Sequence, residues 1–515
     1  MTIRLAALDM GSNSFHLLVV GMTGRTSFET LAREKEMLRL GDDVGRWGRI
    51  GEERAEAAVA SVARLSALAR AAGATEIVAK ATAALREAEN GSDLVDRIES
   101  ETGVKVDVIS GMEEARLVFR AVSASVALEP APALCIDLGG GSLELMVGDH
   151  GSLHWATSVR LGVGRLTAEL VRGDPPGRSD RKRLLERIDS TLEPHMDRLR
   201  DMRPMSLVGS SGTLLTLVRM AAMRRDGALP VSLNQMSVSR KELEAIHGEV
   251  WELPSAERSR LAGLDAKRAD ILPAGTLLAL EVMDRFGLDT MTASEWALRE
   301  GIVLDFMSCQ DSEWTSDAAS LRRSSVADLA SRFRYQEAHA SHVRSLALSL
   351  FDQTAGLHHL DEQARELLSH AALLHDVGEH VAMQDHDQHG AYLVLNGRLR
   401  GFSPEEISAI ATIVRFHRRG APAKSSFAPW EGLSAGVKDT VLRLTALLRV
   451  ADALDRSHAS VVKEVAVRES AKGLLLSVVS VETAELELWA LRRKRTLFED
   501  VFGVDLSLTQ SPTDS

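Results

Sequence analysis

Leu134-Cys135-Ile136-Asp137-Leu138-Gly139-Gly140-Gly141-Ser142-Leu143-Glu144-Leu145-Met146-Val147 reads as strand, glycine turn, strand. The first arm is a short apolar run. The second alternates, with Leu143, Leu145 and Val147 on one face and Glu144 and Met146 on the other. Gly139, Gly140 and Gly141 carry no Cβ, so successive backbone N–H groups are free to converge on one small anion. Asp137 stands at the exit of the first arm, where a carboxylate is placed to hold a cation beside that anion.

The same device occurs near the N-terminus. Leu5-Ala6-Ala7-Leu8-Asp9-Met10-Gly11-Ser12-Asn13-Ser14 leads into Phe15-His16-Leu17-Leu18-Val19-Val20. Each copy is an apolar strand, an Asp, an apolar residue, Gly, two small residues, Ser and a second apolar strand. A single glycine hairpin is an ordinary turn. Two, each led by an aspartate, predict duplicated lobes that clamp a phosphate in the cleft between them.

The chain has 515 residues, which predicts three or four domains. Its 45% hydrophobic and 26% charged residues are ordinary globular composition. No apolar run approaches the roughly 20 residues of a membrane helix, and no secretory leader is expected. Cys135 and Cys309 cannot form a disulfide framework, which fits a reducing cytoplasm. A net charge of −12 argues against a nucleic-acid coat and requires any polyanionic substrate to find a local basic track. Lys35, Arg39, Lys80, Arg86, Arg165, Arg268, residues 415–419 and Arg492-Arg493-Lys494-Arg495 are candidates for it, although most charge runs are merely solvated faces.

In chain order, residues 1–127 read as an α/β lobe. Residues 29–40 are predicted strand, 41–51 a glycine-rich loop, and 52–72 a helix ended by Gly73. Ser110-Gly111-Met112-Glu113-Glu114-Ala115-Arg116 is a helix start with a Ser cap and acidic first turn. Pro130 and Pro132 mark a linker into a second lobe over 128–310. There Gly209-Ser210-Ser211-Gly212-Thr213 is a small-residue turn into a helix, a third possible phosphate contact. Residues 315–458 read as almost entirely helical and hold most of the histidines. Residues 459–515 return to strand and helix, with a tail from Gln510 expected to be disordered.

Taken together, Asp9-Met10-Gly11-Ser12-Asn13-Ser14-Phe15-His16, Ile109-Ser110-Gly111-Met112-Glu113-Glu114-Ala115-Arg116, Asp137-Leu138-Gly139-Gly140-Gly141-Ser142, Gly209-Ser210-Ser211-Gly212-Thr213 and Leu298-Arg299-Glu300-Gly301 resemble the exopolyphosphatase / guanosine pentaphosphatase (Ppx/GppA) family. The resemblance covers nearly the whole chain. It implies a two-lobed, actin-like (RNase H-like, ASKHA) phosphatase core, then an all-α HD-like domain and a small α+β segment. It implies that Glu114 is the general base that activates water, that Glu113 serves the helix start, and that Asp9, Asp137 and Glu144 surround a divalent cation, Mg²⁺. Gly11, Ser12, Asn13, Ser14, Thr82, Arg86, Gly139, Gly140, Gly141, Ser142, Gly209, Ser211, Gly212 and Thr213 would contact phosphate.

The helical block resembles HD-type phosphohydrolases. His339, the adjacent pair His375-Asp376, and Asp452 would form a divalent site, with His386, His389 and His417 as further nitrogen donors. Arg415, His417, Arg418 and Arg419 would hold the distant part of a polymer. The expected activity is removal of terminal orthophosphate from inorganic polyphosphate. The alternatives are hydrolysis of guanosine pentaphosphate to the tetraphosphate, and a non-catalytic alarmone-binding regulator. A homodimer is expected, with no nucleic-acid or membrane partner.

Overall fold

The structure, a computed structural model, describes residues 3–22, 28–128, 131–150, 152–229, 231–310, 318–397, 399–470, 473–480 and 483–512. Pro130, expected in the linker, lies outside them. The chain divides into two compact units, Met1–Leu321 and Arg322–Ser515. Among the described residues no helix is long and apolar enough to cross a membrane.

Unit one holds two sheets built to one plan. The first contains β1 (Arg4–Met10), β2 (Ser14–Met22), β3 (Phe28–Met37), β4 (Glu76–Ala81) and β5 (Val106–Val108), in the order β3-β2-β1-β4-β5. The second contains β6 (Ala133–Leu138), β7 (Leu143–Gly148), β8 (Leu153–Val159), β9 (Ser206–Ser210), β10 (Ser237–Ser239) and β11 (Thr290–Ala293), in the order β10-β11-β9-β6-β7-β8. In each, the strand that ends in the Asp motif runs antiparallel to the next strand and parallel to a later one. The register sets Asp9 opposite His16 and Asp137 opposite Glu144. Being covered on both faces explains why β1 and β6 read as continuous apolar runs.

The lobes exchange their closing helices. Helix Gly111–Ser125 precedes the expected linker, yet Ala115, Val118, Phe119 and Val122 share one apolar cluster with Cys135 and Met146 of the second sheet. Helix Leu298–Gln310 follows the second sheet, yet Ile302 and Val303 join that cluster with Leu5 and Leu18 of the first. The two helices touch closely: a Cβ at Gly301 would lie 2.1 Å from the Leu117 carbonyl oxygen.

Residues 41–51 are not the expected loop. Leu40–Trp47 is a helix, because Leu40 and Val44 bury against the core and Asp42 and Asp43 sit at its positive end. Tertiary burial here outweighs poor glycine propensity. The helix anchors the first turn, since Gly41 N–H donates to the Ser12 carbonyl at 2.8 Å.

Unit two is built on helices Glu337–Gln353, Glu362–Leu374, His386–Asn396, Pro404–Phe416 and Ala435–Ala453. They share one apolar core with a sheet of β12 (Val462–Ser470), β13 (Gly473–Ser480) and β14 (Asp505–Pro512), ordered β12-β13-β14. The boundary expected at 459 therefore does not divide a core. The tail expected to be disordered from Gln510 is strand through Pro512, where β14 pairs with β13. Residues 513–515 lie outside the described residues.

Candidate active site

The two glycine turns of unit one face each other. A Cβ at Gly141 would lie 2.6 Å from Ser12 Oγ and 3.1 Å from Ala83 Cβ, so only glycine admits this approach. Outer contacts hold the turns: Leu38 and Arg39 N–H donate to the Asn13 carbonyl at 3.0 and 2.9 Å, and Val163 N–H to that of Gly139 at 3.0 Å. With their carbonyls tied outward, the N–H groups of Ser12, Asn13, Gly140 and Gly141 find no backbone acceptor among the described residues. That is the arrangement that binds an anion.

Between the turns lies a cavity of about 230 Å³. Asp9, Gly11, Ser12, Asn13, Ser14, Thr82, Glu114, Asp137, Gly139, Gly140, Gly141, Ser142, Ser211, Gly212 and Thr213 all line it. Helix Gly212–Asp226 opens at the cavity and brings its positive end there. Ser211, just before it, has φ 93 and a buried hydroxyl with no partner. A non-glycine residue held at positive φ, with an unsatisfied hydroxyl at a cavity wall, points to a ligand contact.

Glu114 enters from the first turn of helix Gly111–Ser125, where the Ser110 hydroxyl caps the Glu113 N–H at 3.2 Å. Arg86 Nη1 donates to Glu114 Oε2 at 3.2 Å and to the Ile109 carbonyl at 2.7 Å, which fixes the carboxylate. Glu144 takes a hydrogen bond from Ser158 Oγ at 2.7 Å, and its Oε2 is buried without a hydrogen-bond partner among the described residues. Ser210 Oγ donates to Asp137 Oδ1 at 2.5 Å.

Four acidic groups in one dry space disfavour each other's charge. Burial, then the neighbouring Glu144, push the Glu114 carboxyl well above the usual range, and Arg86 pulls it back. Burial raises Asp9 to about 7, with Arg299 opposing and Asp137 adding. Burial and then Asp137 raise Glu144 to about 7. Burial also raises Asp137, against the hydrogen bond from Ser210. Such a set, including a carboxylate oxygen with no donor, fits a divalent cation.

A family model for the Ppx/GppA phosphatase family matches residues 19–309, and one for Ppx/GppA phosphatase domain III matches residues 321–494. The chain belongs to the Ppx/GppA phosphatase family. It is similar to exopolyphosphatase 1 of Mycobacterium leprae, 33% identical over 326 residues, or 63% of this chain and 94% of the relative. It is also similar to exopolyphosphatase 1 of Mycobacterium tuberculosis, 33% identical over 305 residues, or 58% of this chain and 87% of the relative. Among solved structures, an exopolyphosphatase from Cytophaga hutchinsonii matches with a TM-score of 0.57 at 28% identity, over 61% of this chain and 99% of that one. The Aquifex aeolicus family member matches with 0.52 at 25% identity, over 60% and 99%. The family is one of phosphatases, which are hydrolases.

Within this family site, three residues expected at phosphate or metal stand back from the cavity wall. Arg86 donates through Nη1 to Glu114 and does not line the cavity. Gly209 lies within β9. Glu144 sits behind Asp137, on the neighbouring strand. His16 and Arg299, given no role there, also line it, as does Lys35, read only as a track candidate. Arg268, read only as a track candidate, lines it too, and its guanidinium donates to Thr213 Oγ1 at 3.3 Å. The alternation of β2 and β3 was a usable signal, since it pairs His16 with Lys35. Burial, then Arg299, Lys35 and Arg268, keep His16 well below its usual range and so neutral. Burial and then Arg268 lower Lys35 to about 8.

In unit two, His339, His375 and Asp376 form one group, as the HD-type resemblance implies; Asp452 lies outside that group, although its charge acts on His375. Asp452 is paired with Lys494 of the helix Glu485–Lys494. His386 and His417 form a second group with Asp376. Of the expected polymer track over residues 415–419, only part lies at the surface, with Arg419 the most exposed. His417 is 1% exposed and faces inward, Arg415 is paired with buried Asp387, and Arg419 with Asp385. Arg418 is half-buried and given no ion pair among the described residues.

Proposed function

We propose that the chain is an exopolyphosphatase, which removes terminal orthophosphate from inorganic polyphosphate by attack of a water molecule. The observation that carries this reading is the meeting of two anion-binding turns beside a buried, Arg86-held Glu114. The names of the mycobacterial and Cytophaga relatives support the substrate class.

In this reading the N–H groups of Ser12, Asn13, Gly140 and Gly141 hold the equatorial oxygens of the terminal phosphoryl group. Ser211, Thr213, Arg268 and Lys35 hold the next phosphates. Glu114 accepts the proton of the attacking water; its raised basicity suits that role. Arg299 offsets negative charge as the leaving phosphate departs. Asp9 and Asp137, with Glu144 behind them, would hold Mg²⁺, which supplies neutralisation of phosphate charge when bound. The small number of protein ligands suits Mg²⁺, which keeps several waters and substrate oxygens. We read unit two as HD-like from its His375-Asp376 pair among helices. A homodimer and a cytoplasmic location belong to the same reading.

Phosphate release from polyphosphates of defined length, measured beside guanosine pentaphosphate, tests it. The expected result is a kcat/KM for polyphosphate above that for the nucleotide. A nucleotide kcat/KM far above it would replace the polymer as substrate, and no turnover of either would favour a binding regulator.

A further inference from the structure

The cleft of unit one holds one amine among the described residues, that of Lys35. Lys35 lies on β3, directly across from His16 on β2, and both line the cavity. Strand alternation sends its acidic neighbours Glu34 and Glu36 to the other face, where Arg64 holds Glu36. Lys80, Lys182 and Lys494 each face a carboxylate. Lys35 Nζ has no hydrogen bond or ion pair among the described residues, and the charges that act on it are Arg268, Asp265, Arg299 and Lys267. The one acid of that set is engaged elsewhere: Asp265 accepts the Lys267 N–H at 3.2 Å and stands 3.7 Å from Arg268 Nε.

A half-buried ammonium among cations sheds its proton readily. Burial and then Arg268 bring Lys35 down to about 8. The neutral amine is a nucleophile. Arg268, which donates to Thr213 Oγ1, and Arg299 line the same cavity and draw a phosphate to its side. A nucleophile beside an anion-binding wall meets any electrophile that carries a phosphate. Phosphorus ringed by anionic oxygens is a shielded target. The planar carbonyl carbon of a carboxylic–phosphoric anhydride is an open one.

Resting on the reading of Lys35 and Arg268 as phosphate-holding groups, we propose that Lys35 is a modification site for small acyl phosphates, which the cleft binds through their phosphate. Lys35 Nζ attacks the acyl carbon. The C–N bond forms, the C–O bond to phosphate breaks, and the amine's proton leaves with orthophosphate. Nothing is oxidised or reduced. The amide left on Lys35 is uncharged, so the modified cleft has one cation fewer for a polyanion.

The full chain is treated at pH 8 with acetyl phosphate or with acetic anhydride, which carries no phosphate. Peptide mass spectrometry follows acetylation of Lys35 and of the exposed Lys105. Both reagents sense the free amine alike, so comparing them isolates capture by phosphate. The Lys35-to-Lys105 ratio is expected to be on the order of 10-fold higher with acetyl phosphate, a small share of what proximity can supply. Tripolyphosphate, added with chelator to prevent its turnover, should remove that excess and leave Lys105 unchanged. Equal ratios for the two reagents, or an excess that tripolyphosphate does not reduce, overturn the proposal. Phosphate release from long polyphosphate is measured on the same preparation. Selective labelling without turnover keeps Lys35 as the site and sinks the exopolyphosphatase reading; turnover with equal ratios does the reverse.

Discussion

Replacing Glu114 by Gln separates catalysis from stability. The amide fills the same volume, and its oxygen still accepts from Arg86 Nη1, which stands 3.2 Å away in the native side chain. It cannot take a proton from water. Loss of a general base lowers a rate by ~10²–10⁴, which at about 1.36 kcal/mol per decade is about 2.7–5.4 kcal/mol of barrier. Stability should move the other way. The Glu114 carboxyl is held well above its usual range, chiefly by burial and then by Glu144. Above the unfolded value near 4.3, the unfolded chain releases this proton while the folded chain keeps it. Stability from this group is therefore complete at low pH and is lost as pH rises toward the folded value. Gln escapes that loss. Without added metal, Glu114→Gln should melt higher than wild type at pH 8 and nearly the same at pH 4.5. The assays are phosphate release from polyphosphate and thermal melts at both pH values. Full activity in the variant refutes the base. Lost activity with a lower melting temperature at pH 8 shows Glu114 to be a structural residue, and refutes the reasoning as well.

Gly141→Ala should lower kcat/KM by on the order of 10²-fold, as expected for ångström-scale misplacement of a reacting group, because its Cβ would press on Ser12 Oγ and Ala83; unaltered kinetics would show that the turns need not meet. Gly301→Ala should destabilise unit one by about 1–3 kcal/mol, the usual cost of overpacking, since its Cβ would run into the Leu117 carbonyl; denaturant melts that coincide with wild type would refute this. Asp9 and Glu144, each raised to about 7, should make chelated protein lose stability between about pH 4 and 7. At about 1.36 kcal/mol per unit this is up to about 4 kcal/mol for Asp9 and about 3 kcal/mol for Glu144, and Mg²⁺ should restore the loss at pH 8; melts that do not change with pH would dismiss the repulsion among these carboxylates. Arg86→Ala should lower kcat more than it raises KM for long polyphosphate, because Arg86 holds the base rather than the polymer; a rise in KM alone would return it to phosphate binding.

What could be read from the chain and what could not divide along one physical line. The paired Asp turns were legible because strand alternation and glycine clusters are local signals, and the fold repeats them in one register, with Asp9 opposite His16 and Asp137 opposite Glu144. The helix Leu40–Trp47 was hidden because its cause is not local: glycines weaken it, and burial of Leu40 and Val44 makes it. Arg86 was legible as a cation near phosphate but not as the clamp on Glu114. That role depends on the Ile109 carbonyl lying beside the start of helix Gly111–Ser125. The histidine cluster shows the same limit most sharply. Asp452 has the residue type and helical setting of a ligand, and the chain alone contains no reason to reject it. What sets it apart is Lys494, which arrives from the helix Glu485–Lys494 and pairs with it. His386 and His417 sit at the ends of their helices, where the backbone carbonyls of Met383 and Val414 hold each Nδ1 and turn Nε2 inward. Which way each ring nitrogen turns is thus decided by what occupies the far side of the ring, a property of three-dimensional neighbours rather than of spacing along the chain.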